Sequence, residues 1–406
     1  MSKTEIPSIR FRGFDNAWEQ RKFSDVVTTR RGLTYKPSDI RKNGVRVLRS
    51  SNIAEDSFTL GDEDVFVVRE AVNIDCARAN DILITAANGS SRLVGKHTII
   101  TGIPEESAVH GGFMLLGTTK EPHFVNASMG SSWYRRFIEL FVAGGNGAIG
   151  NLSKNDLDNQ EIAIPSEEEQ KIIGSFFRQL DHLITLHQRK LEKLTNLKKS
   201  TLEKMFPRNG SCYPKIRFKG FTDPWEQRKL GELISEYKET VDSSCTLPVL
   251  TSSKTEGVIL QEEHFGRKQQ HDITGYNVLP RSYCTYRNRS DGVDFTFNVN
   301  ECCDMGIISK FYPVFCGNDN DTFFLSLVLN NSDEVVHEIA YTCTGTGQKV
   351  LSFLDLQKMS IRVPRHNEQK KISTYFKQLD RLITLHQCEL EKFQNLKKAL
   401  LEKMFV

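Results

Sequence analysis

The sequence predicts an α+β protein made of two related units, each of which ends in a long helix. Three observations predict this class. Two stretches of the chain are nearly repeated, each repeat ends in a proline-free segment with helical periodicity, and the segments between contain short apolar runs bounded by Gly, Asn, Asp or Pro. A chain of 406 residues also exceeds one ordinary domain of roughly 150 residues.

The composition excludes several protein classes without naming a partner. Lys and Arg number 54 against 51 Asp and Glu, so a net charge of +3 is too small to indicate an anionic ligand. No apolar run reaches the ~18 residues of a membrane span, and the first residues lack the hydrophobic core of a signal peptide. We therefore expect a cytoplasmic protein that has no membrane partner. Nine cysteines without a CxxC pair favour reduced thiols over disulfides or a zinc ribbon.

The repeat has constant edges and a variable centre. Residues 9–22 (IRFRGFDNAWEQRK) and 216–229 (IRFKGFTDPWEQRK) agree at 10 of 14 positions. Residues 170–206 and 369–405 agree at 25 of 37 positions and share the ending LEKMF. The centres between these edges show little identity. Two modules that bind different ligands on one framework would have this pattern, and the duplication indicates a pseudo-twofold relation between them.

The edges divide the chain into five segments, with a joint rich in Pro, Gly and Ser near residues 207–214. We predict the following segments: an arm and first domain at 1–165, a first long helix at 166–206, a linker at 207–215, an arm and second domain at 216–364, and a second long helix at 365–406.

The two long helices each have an apolar stripe whose members advance by threes and fours, as in a coiled coil. We expect the helices to cover these stripes by packing against each other in antiparallel orientation. A seam histidine is expected to fix the register rather than to bind a metal. The predicted seam consists of Leu180, Ile184, His187, Leu191, Leu379, Ile383, His386 and Leu390, and Leu197 and Leu396 continue the same spacing.

The variable centres are predicted to be compact α+β domains. Short apolar runs at residues 81–85, 113–116, 283–286, 307–311 and 323–329 have flanking turn residues and are interpreted as strands. An apolar alternation ends on Pro165 and on Pro364, immediately before each long helix, where proline stops a strand and permits a helix to begin.

The sequence offers no catalytic residue that we would assign, and no metal ligand. GNGAIG (residues 145–150) fits a dinucleotide fingerprint, but no βαβ pattern surrounds it. GSSRLVGK (residues 89–96) has the wrong spacing for a phosphate loop. The acids of Glu169-Gln170-Lys171 and Glu368-Gln369-Lys370 lie where helices begin and are interpreted as favouring the helix dipole. A duplicated chain without a duplicated acid–base set points to binding rather than chemistry.

Basic and amide side chains follow the strands at comparable places in the two centres. Arg and Asn can make paired hydrogen bonds to base edges, and Ser and Lys suit phosphates. For each residue, an exposed charge without a partner remains the alternative. The candidate DNA contacts are Arg30, Arg31, Lys36, Arg49, Asn52, Asn88, Ser91 and Arg92 in the first centre, and Lys254, Lys268, Gln269, Arg287, Asn288, Arg289, Gln348 and Lys349 in the second.

The twin arms RFxGFxxxWEQRK, the GTGQKVLSFLDL stretch at residues 345–356 and the twin FxQLDxLITLHQ helices make the chain resemble the specificity subunit of type I restriction-modification enzymes. The resemblance implies two target recognition domains that each read one part of a bipartite double-stranded DNA target, and long helices that set the spacing between the parts. It implies no activity and no cofactor for this chain. Two modification (methyltransferase) subunits would bring S-adenosylmethionine, and restriction/translocase subunits would bring ATP and magnesium.

Residues 146–151 lack the GxGQK form of residues 345–349, so roles carried onto the first copy are less direct. Two alternatives remain at this point: a protein–protein adaptor without DNA specificity, and a nuclease or methyltransferase whose site has no familiar motif.

Overall fold

The computed structural model describes residues 6–54, 57–142, 150–208, 210–267, 272–292, 294–343 and 348–406. It divides into two compact units. Unit 1 runs to Arg189 and also contains Gln387–Val406, and unit 2 is Lys190–His386. The boundaries between these two units fall inside the two long helices. The reason is that the second part of each helix packs into a core other than the one its first part enters. The five segments expected from the sequence stay a prediction.

Unit 1 contains strands and helices in mixed order. Its strands are β1 (Glu19–Lys22), β2 (Thr28–Arg31), β3 (Ile40–Arg41), β4 (Val45–Leu48), β5 (Ile53–Ala54), β6 (Ser57–Phe58), β7 (Val65–Val67), β8 (Ile82–Thr85), β9 (Ala87–Asn88), β10 (His97–Ile99), β11 (Ala108–His110), β12 (Met114–Thr118), β13 (Gly150–Asn151) and β14 (Glu161–Ile164). Its helices are α1 (Phe23–Val26), α2 (Pro122–Met129), α3 (Ser132–Phe141), α4 (Lys154–Asn159) and the first part of α5 (Glu167–Met205).

Two four-stranded sheets form the body of unit 1. The first has the order β10-β8-β12-β2 and is antiparallel throughout. The second has the order β11-β4-β7-β3, and its β11–β4 pair is parallel. A separate antiparallel pair, β1 with β14, joins the arm to the strand that precedes the long helix. The two constant edges of the repeat, which contain β1 and β14, thus pair with each other where the chain enters and leaves the variable centre.

Unit 2 has a similar order of elements, with an additional short helix, α7 (Gln261–Phe265), between its strands. Its strands are β15 (Glu226–Lys229), β16 (Ile234–Tyr237), β17 (Leu250–Ser253), β18 (Gly257–Leu260), β19 (Asn277–Pro280), β20 (Cys284–Thr285), β21 (Arg289–Ser290), β22 (Asn298–Val299), β23 (Met305–Ile308), β24 (Val314–Gly317), β25 (Lys349–Val350) and β26 (Ser360–Val363). Its helices are α6 (Leu230–Leu233), α7 (Gln261–Phe265), α8 (Thr322–Asn331), α9 (Asp333–Thr342), α10 (Phe353–Lys358) and the first part of α11 (His366–Lys403).

The sheets of unit 2 correspond to those of unit 1 in connectivity. The order β16-β24-β20-β22 matches β2-β12-β8-β10, and β15 pairs with β26 as β1 pairs with β14. Two hydrogen-bonded pairs, β17–β18 and β19–β23, occupy the place of the second sheet. The predicted α+β class with two similar units, each associated with a long helix, is confirmed.

One predicted strand is wrong. Residues 323–329 lie in α8, which runs from Thr322 to Asn331. The side chain of Asp321 accepts a hydrogen bond from the backbone N–H of Phe324 and so caps the helix. The helix is buried on nearly all sides, so its apolar residues show no helical period, and a short apolar run of this kind fits a strand equally well.

The constant LEKMF endings of the two helices each complete an aromatic core. In unit 1, Phe405 at the end of the chain contacts Trp18, Phe124 and Phe177, with ring centroids 5.8–6.0 Å apart. In unit 2, Phe206 contacts Trp225, Phe324 and Phe376 in the corresponding arrangement. The arm tryptophans are buried in both cores. The repeated sequence therefore specifies the same packing twice.

A second repeated contact ties each arm to its helix. The guanidinium of Arg217 donates hydrogen bonds of 2.6 and 2.7 Å to the buried carboxylate of Glu368, and Arg10 does the same to Glu169. Glu169 and Glu368 lie in the first turns of α5 and α11, as the helix-dipole interpretation requires. Their main partner, however, is the arm arginine, which a reading of the helix alone does not reveal.

Candidate nucleic-acid interface

Each unit carries a short strand pair at the edge of its main sheet, directly after a central strand. In unit 1, β9 pairs with β13, and Asn88 lies opposite Gly150. The backbone N–H groups of Ala86 and Ala87 donate to the carbonyl oxygen of Phe113 at 2.9 and 3.0 Å. These bonds hold the start of the loop that follows the predicted strand at residues 81–85 and that contains predicted DNA contacts.

The same backbone arrangement recurs in unit 2. There β21 pairs with β25, and the N–H of Asn288 donates to the carbonyl of Phe311 at 2.9 Å. In addition, Leu351 N–H donates to Asn288, as Leu152 N–H donates to Ala86 in unit 1. By this register Ala86, Ala87 and Asn88 correspond to Asn288, Arg289 and Ser290. One backbone frame therefore presents different side chains in the two units, and the two predicted loops are structurally equivalent.

A groove of about 720 Å³ lies beside the strand pair of unit 1. Two predicted DNA contacts, Arg49 and Asn88, line it together with an exposed aromatic residue, Phe113. The remaining lining residues are Leu33, Thr34, Tyr35, Ile40, Ser50, Val65, Ala87, Gly89, Gly111, Gly112 and Met114. Asn88 Nδ2 donates to Ser50 Oγ at 2.9 Å, which orients the amide at the wall of the groove.

Close backbone packing sets the floor of this groove. At Gly32, a Cβ atom would lie 1.9 Å from the carbonyl oxygen of Gly111, so no larger residue fits between the ends of β2 and β11. The buried His110, next along β11, hydrogen-bonds through Nε2 to the Arg30 carbonyl at 3.1 Å. Burial lowers the pKa of this imidazole to about 4, so a neutral ring donates this bond at neutral pH.

Other predicted contacts in unit 1 are used inside the domain. Asn52 is buried, and its side chain bonds to Arg49 N, the Thr59 carbonyl and Asp64. Arg30 pairs with the buried Asp81 at 3.2 Å and is partly covered. The side chain of Asn52 is hydrogen-bonded within the domain, and the guanidinium of Arg30 is paired with Asp81. Neither residue is therefore among the proposed DNA contacts.

Four predicted residues of unit 1 remain exposed outside the groove lining, and their contact with DNA stays a prediction: Arg31, Lys36, Ser91 and Arg92.

A groove of about 430 Å³ lies at the corresponding strand pair of unit 2. Three predicted contacts line it, namely Lys254, Arg287 and Arg289. The other lining residues are Ser252, Ser290, Asp291, Gly292, Asp294, Phe295, Thr296 and Tyr312. Lys254 is ion-paired with Asp294, whereas Arg287 is exposed. The groove mixes basic donors with two carboxylates, a set that can pair with both acceptors and donors on base edges.

The remaining predicted contacts of unit 2 flank this groove. Lys349 lies opposite Ser290 in the strand pair and is partly buried, and Gln348 beside it is exposed. Asn288 is partly buried, with its backbone held at both the N–H and the carbonyl. Lys268 and Gln269 lie outside the described residues, as do residues 145, 147, 345 and 347 of the glycine motifs.

The helix seam residues can be placed within each unit. In unit 1, Leu180 is buried, Ile184 and Leu390 are partly buried, and His187 Nδ1 lies 3.2 Å from Glu389 Oε2. Asp181 pairs with Lys397 at 2.9 Å. From this pair to the His187–Glu389 pair the residue numbers rise along α5 and fall along α11, so the two helix segments of this unit run antiparallel.

In unit 2, Leu379 is buried, and Ile383, His386 and Leu191 are partly buried. Lys198 pairs with Asp380 at 2.5 Å and repeats the Asp181–Lys397 pair. Leu197 and Leu396 do not belong to the stripe, since they are 45% and 46% exposed, and the heptad continues instead through the neighbouring lysines 198 and 397. A seam role for the predicted set stays a prediction.

Two further observations concern the chain as a whole. Among the described helices, none combines the length and the apolar character needed to cross a bilayer. All nine cysteines, each within the described residues, are free thiols.

Comparison with known proteins identifies the framework. A family model described as "Type I restriction modification DNA specificity domain" matches residues 16–196 and again residues 222–394. The chain belongs to this family. Its two matches cover both repeats, so the resemblance to specificity subunits drawn from the arms and helices is confirmed.

Similar proteins agree with this assignment. The putative type I restriction enzyme MjaX specificity subunit of Methanocaldococcus jannaschii is 25% identical over 421 residues, which cover 98% of this chain and 94% of that protein. The StySPI specificity subunit of Salmonella potsdam is 28% identical over 229 residues, 53% of this chain and 48% of that protein. A crystal structure of the type I restriction-modification S subunit from M. genitalium has the same fold, with a TM-score of 0.61 at 12% identity over 99% of both chains.

Proposed function

We propose that this specificity-family chain reads a bipartite DNA target, with unit 1 contacting one part and unit 2 the other. The observation that carries the proposal is the repeated strand pair beside a groove, in which one backbone frame presents Asn88 in unit 1 and Arg289 with Ser290 in unit 2. Different side chains on an equivalent frame are what two readers of different base sequences require.

The grooves contain the residue types of groove reading. Arg49 and Asn88 in unit 1 offer a guanidinium and an amide, which suit guanine and adenine edges. Arg287 and Arg289 in unit 2 offer two guanidinium groups beside Asp291, a potential acceptor for cytosine. Exposed Arg31, Lys36 and Arg92 supply charge for phosphates around the first groove.

We further propose that the chain is a scaffold and performs no chemistry itself. Two modification subunits would methylate adenine with S-adenosylmethionine, and restriction subunits would use ATP and magnesium. Exposed apolar side chains at equivalent helices of the two units support repeated protein contacts: Leu140 and Phe141 on α3, and Val336 and Tyr341 on α9. A cytoplasmic location stays a prediction.

A footprint tests the proposal directly. The full chain, reconstituted with its modification subunits, is incubated with DNA whose methylated adenines have been mapped in cells that carry this chain. We expect two protected segments separated by unprotected base pairs, with affinity falling steeply as salt rises. One continuous protected segment would contradict a split target.

The adaptor alternative predicts a different result. Protein binding by the exposed apolar residues would then be the only function of the chain, and the chain would prefer no DNA sequence. Equal affinity for the mapped target and for a shuffled duplex, with modification subunits still bound, would favour the adaptor.

A further inference from the structure

Phe113 and Phe311 occupy equivalent turns in the two units. Phe113 lies between β11 and β12, and Phe311 lies between β23 and β24, which have the corresponding places in the sheets. The carbonyl of each accepts a hydrogen bond from the residue that enters the short strand pair, Ala86 or Asn288. The two variable centres share little sequence, so an aromatic residue held in the same way in both indicates a shared task.

The side chains are exposed although the backbones are fixed. Phe113 is 74% exposed and lines the groove of unit 1. Phe311 is 38% exposed and borders the groove of unit 2, where its ring contacts the lining residue Arg289. An exposed phenylalanine adds nothing to a core, and covering it on binding is favourable. Both rings are therefore placed to meet the same partner as the polar residues of their grooves.

The surroundings of Phe311 limit how it can meet DNA. The guanidinium of Arg289 lies over the ring, with its carbon 4.6 Å from the ring centroid, and Lys310 Nζ lies 5.8 Å from the same centroid. A ring inserted between two base pairs needs both of its faces, whereas the ring of Phe311 already has these two cations against it. Contact through the ring edge is left, and Arg289 stays beside the ring with its remaining N–H groups available to a base.

The 5-methyl group of thymine is the apolar feature that base edges display in the major groove. We propose that Phe113 and Phe311 are specificity-determining residues that each pack against a thymine methyl in the part of the target read by their own unit. This inference rests on the proposed function and adds to it the base type and the residue that selects it.

The test replaces each thymine of the mapped target, one at a time, with deoxyuridine, which lacks only the methyl group. With the full chain bound to its modification subunits, one replacement in each half-site should weaken binding about fourfold, the value of one buried carbon. In a Phe113→Ala complex the affected thymine of one half-site should become indistinguishable from deoxyuridine, while the other half-site keeps its sensitivity. Phe311→Ala should show the reverse pattern.

Control variants separate this effect from misfolding. Leu60→Ala removes another exposed apolar side chain of unit 1 and Phe265→Ala one of unit 2; neither residue lines a groove, and both variants should leave deoxyuridine sensitivity unchanged. Phe311→Leu keeps an apolar surface and should retain part of the discrimination. Thermal unfolding of each variant reports whether the domain is intact.

Two outcomes would overturn the inference: half-sites without any methyl-sensitive thymine, or phenylalanine variants that discriminate deoxyuridine as the parent does. Failure of the proposed function looks different, because the unaltered complex would then prefer no target sequence before any thymine is replaced.

Discussion

The guanidinium of Arg10 binds both carboxylate oxygens of Glu169, at 2.7 and 2.8 Å, across 159 positions of sequence. The glutamate is buried, and the pair joins the arm to the first turn of α5. Hydrogen bonding to this carboxylate raises the pKa of Arg10, which favours the charged guanidinium.

Arg10→Ala should lower the free energy of unfolding of unit 1 by about 3–5 kcal/mol, because it leaves a buried carboxylate without a partner. Hydrogen exchange measured by mass spectrometry resolves the two units and checks the result. Arg69→Ala removes an arginine from an exposed pair with Glu106 and should cost less than about 1 kcal/mol. A similar small cost for Arg10→Ala would show that the pair is solvated.

Phe405→Ala should destabilise unit 1 by about 3–5 kcal/mol, since the ring fills a core with Trp18, Phe124 and Phe177. Amide exchange should accelerate in unit 1 and stay unchanged in unit 2. Val406→Ala, at the exposed next position, is the matched control. Phe206→Ala should affect unit 2 alone, and equal loosening of both units by either variant would contradict separate cores.

Arg289→Ala should weaken binding by about 1–3 kcal/mol and relax base preference in one half-site only. Selection from a randomised duplex library, followed by sequencing, reports each position separately. Arg281→Ala is the control, because that arginine is exposed and pairs with Asp304 away from the groove. Loss of preference in both half-sites together would refute independent reading by the two units.

Insertion of one heptad into both long helices should lengthen the permitted spacer. Seven residues add about 10.5 Å, which corresponds to roughly three base pairs. Leu194 and Met205 are anchored in the core of unit 2, so the insertions belong at Arg189/Lys190 and His386/Gln387, not within the residues that follow. The methylated sequences in cells carrying this variant give the new spacing, and an unchanged spacer would contradict the expectation that the long helices set the spacing between the two parts of the target.

His110 should make unit 1 sensitive to mild acid. Its pKa in the folded chain is about 4, because burial disfavours the charged ring, against about 6.5 when unfolded. The unfolded state therefore binds the extra proton, and stability is constant above about pH 6.5 and falls between there and pH 4, by on the order of 3 kcal/mol. Exchange rates of β11 between pH 4 and 8, corrected for the intrinsic pH dependence of amide exchange, measure this, and His110→Asn should remove that part of the slope.

The repeat makes the framework of arms and long helices predictable from the sequence, whereas the side-chain contacts in the grooves are not predictable from it. Glu169, Trp18 and Phe405 each have an identical counterpart in the other copy, so their importance is visible in the sequence. Their partners are over 100 residues away in the chain, so only the structure identifies them. Asn52 and Arg30 look like surface readers in sequence and are held internally by Asp64 and Asp81. Residue type alone does not distinguish these two uses.

The predictions for residues 323–329 and for Phe113 differ from the structure for related reasons. A helix buried all round has no polar face to reveal its period, so the sequence predicts a strand where α8 lies. The sequence likewise predicts a strand that begins at Phe113, whereas β12 begins one residue later and leaves the ring in solvent. The exposed position of Phe113 beside the groove is apparent only when the two units are compared, because the carbonyls of Phe113 and Phe311 accept equivalent hydrogen bonds.

The composition of unit 1 has a consequence for the order of folding. Its core contains Leu401, Met404 and Phe405, which follow unit 2 in the chain, whereas unit 2 is one continuous stretch. Unit 1 must therefore close a loop that contains all of unit 2 before its core is complete, and long loops cost more entropy to close. We expect unit 2 to form first and unit 1 to be the slower of the two to fold.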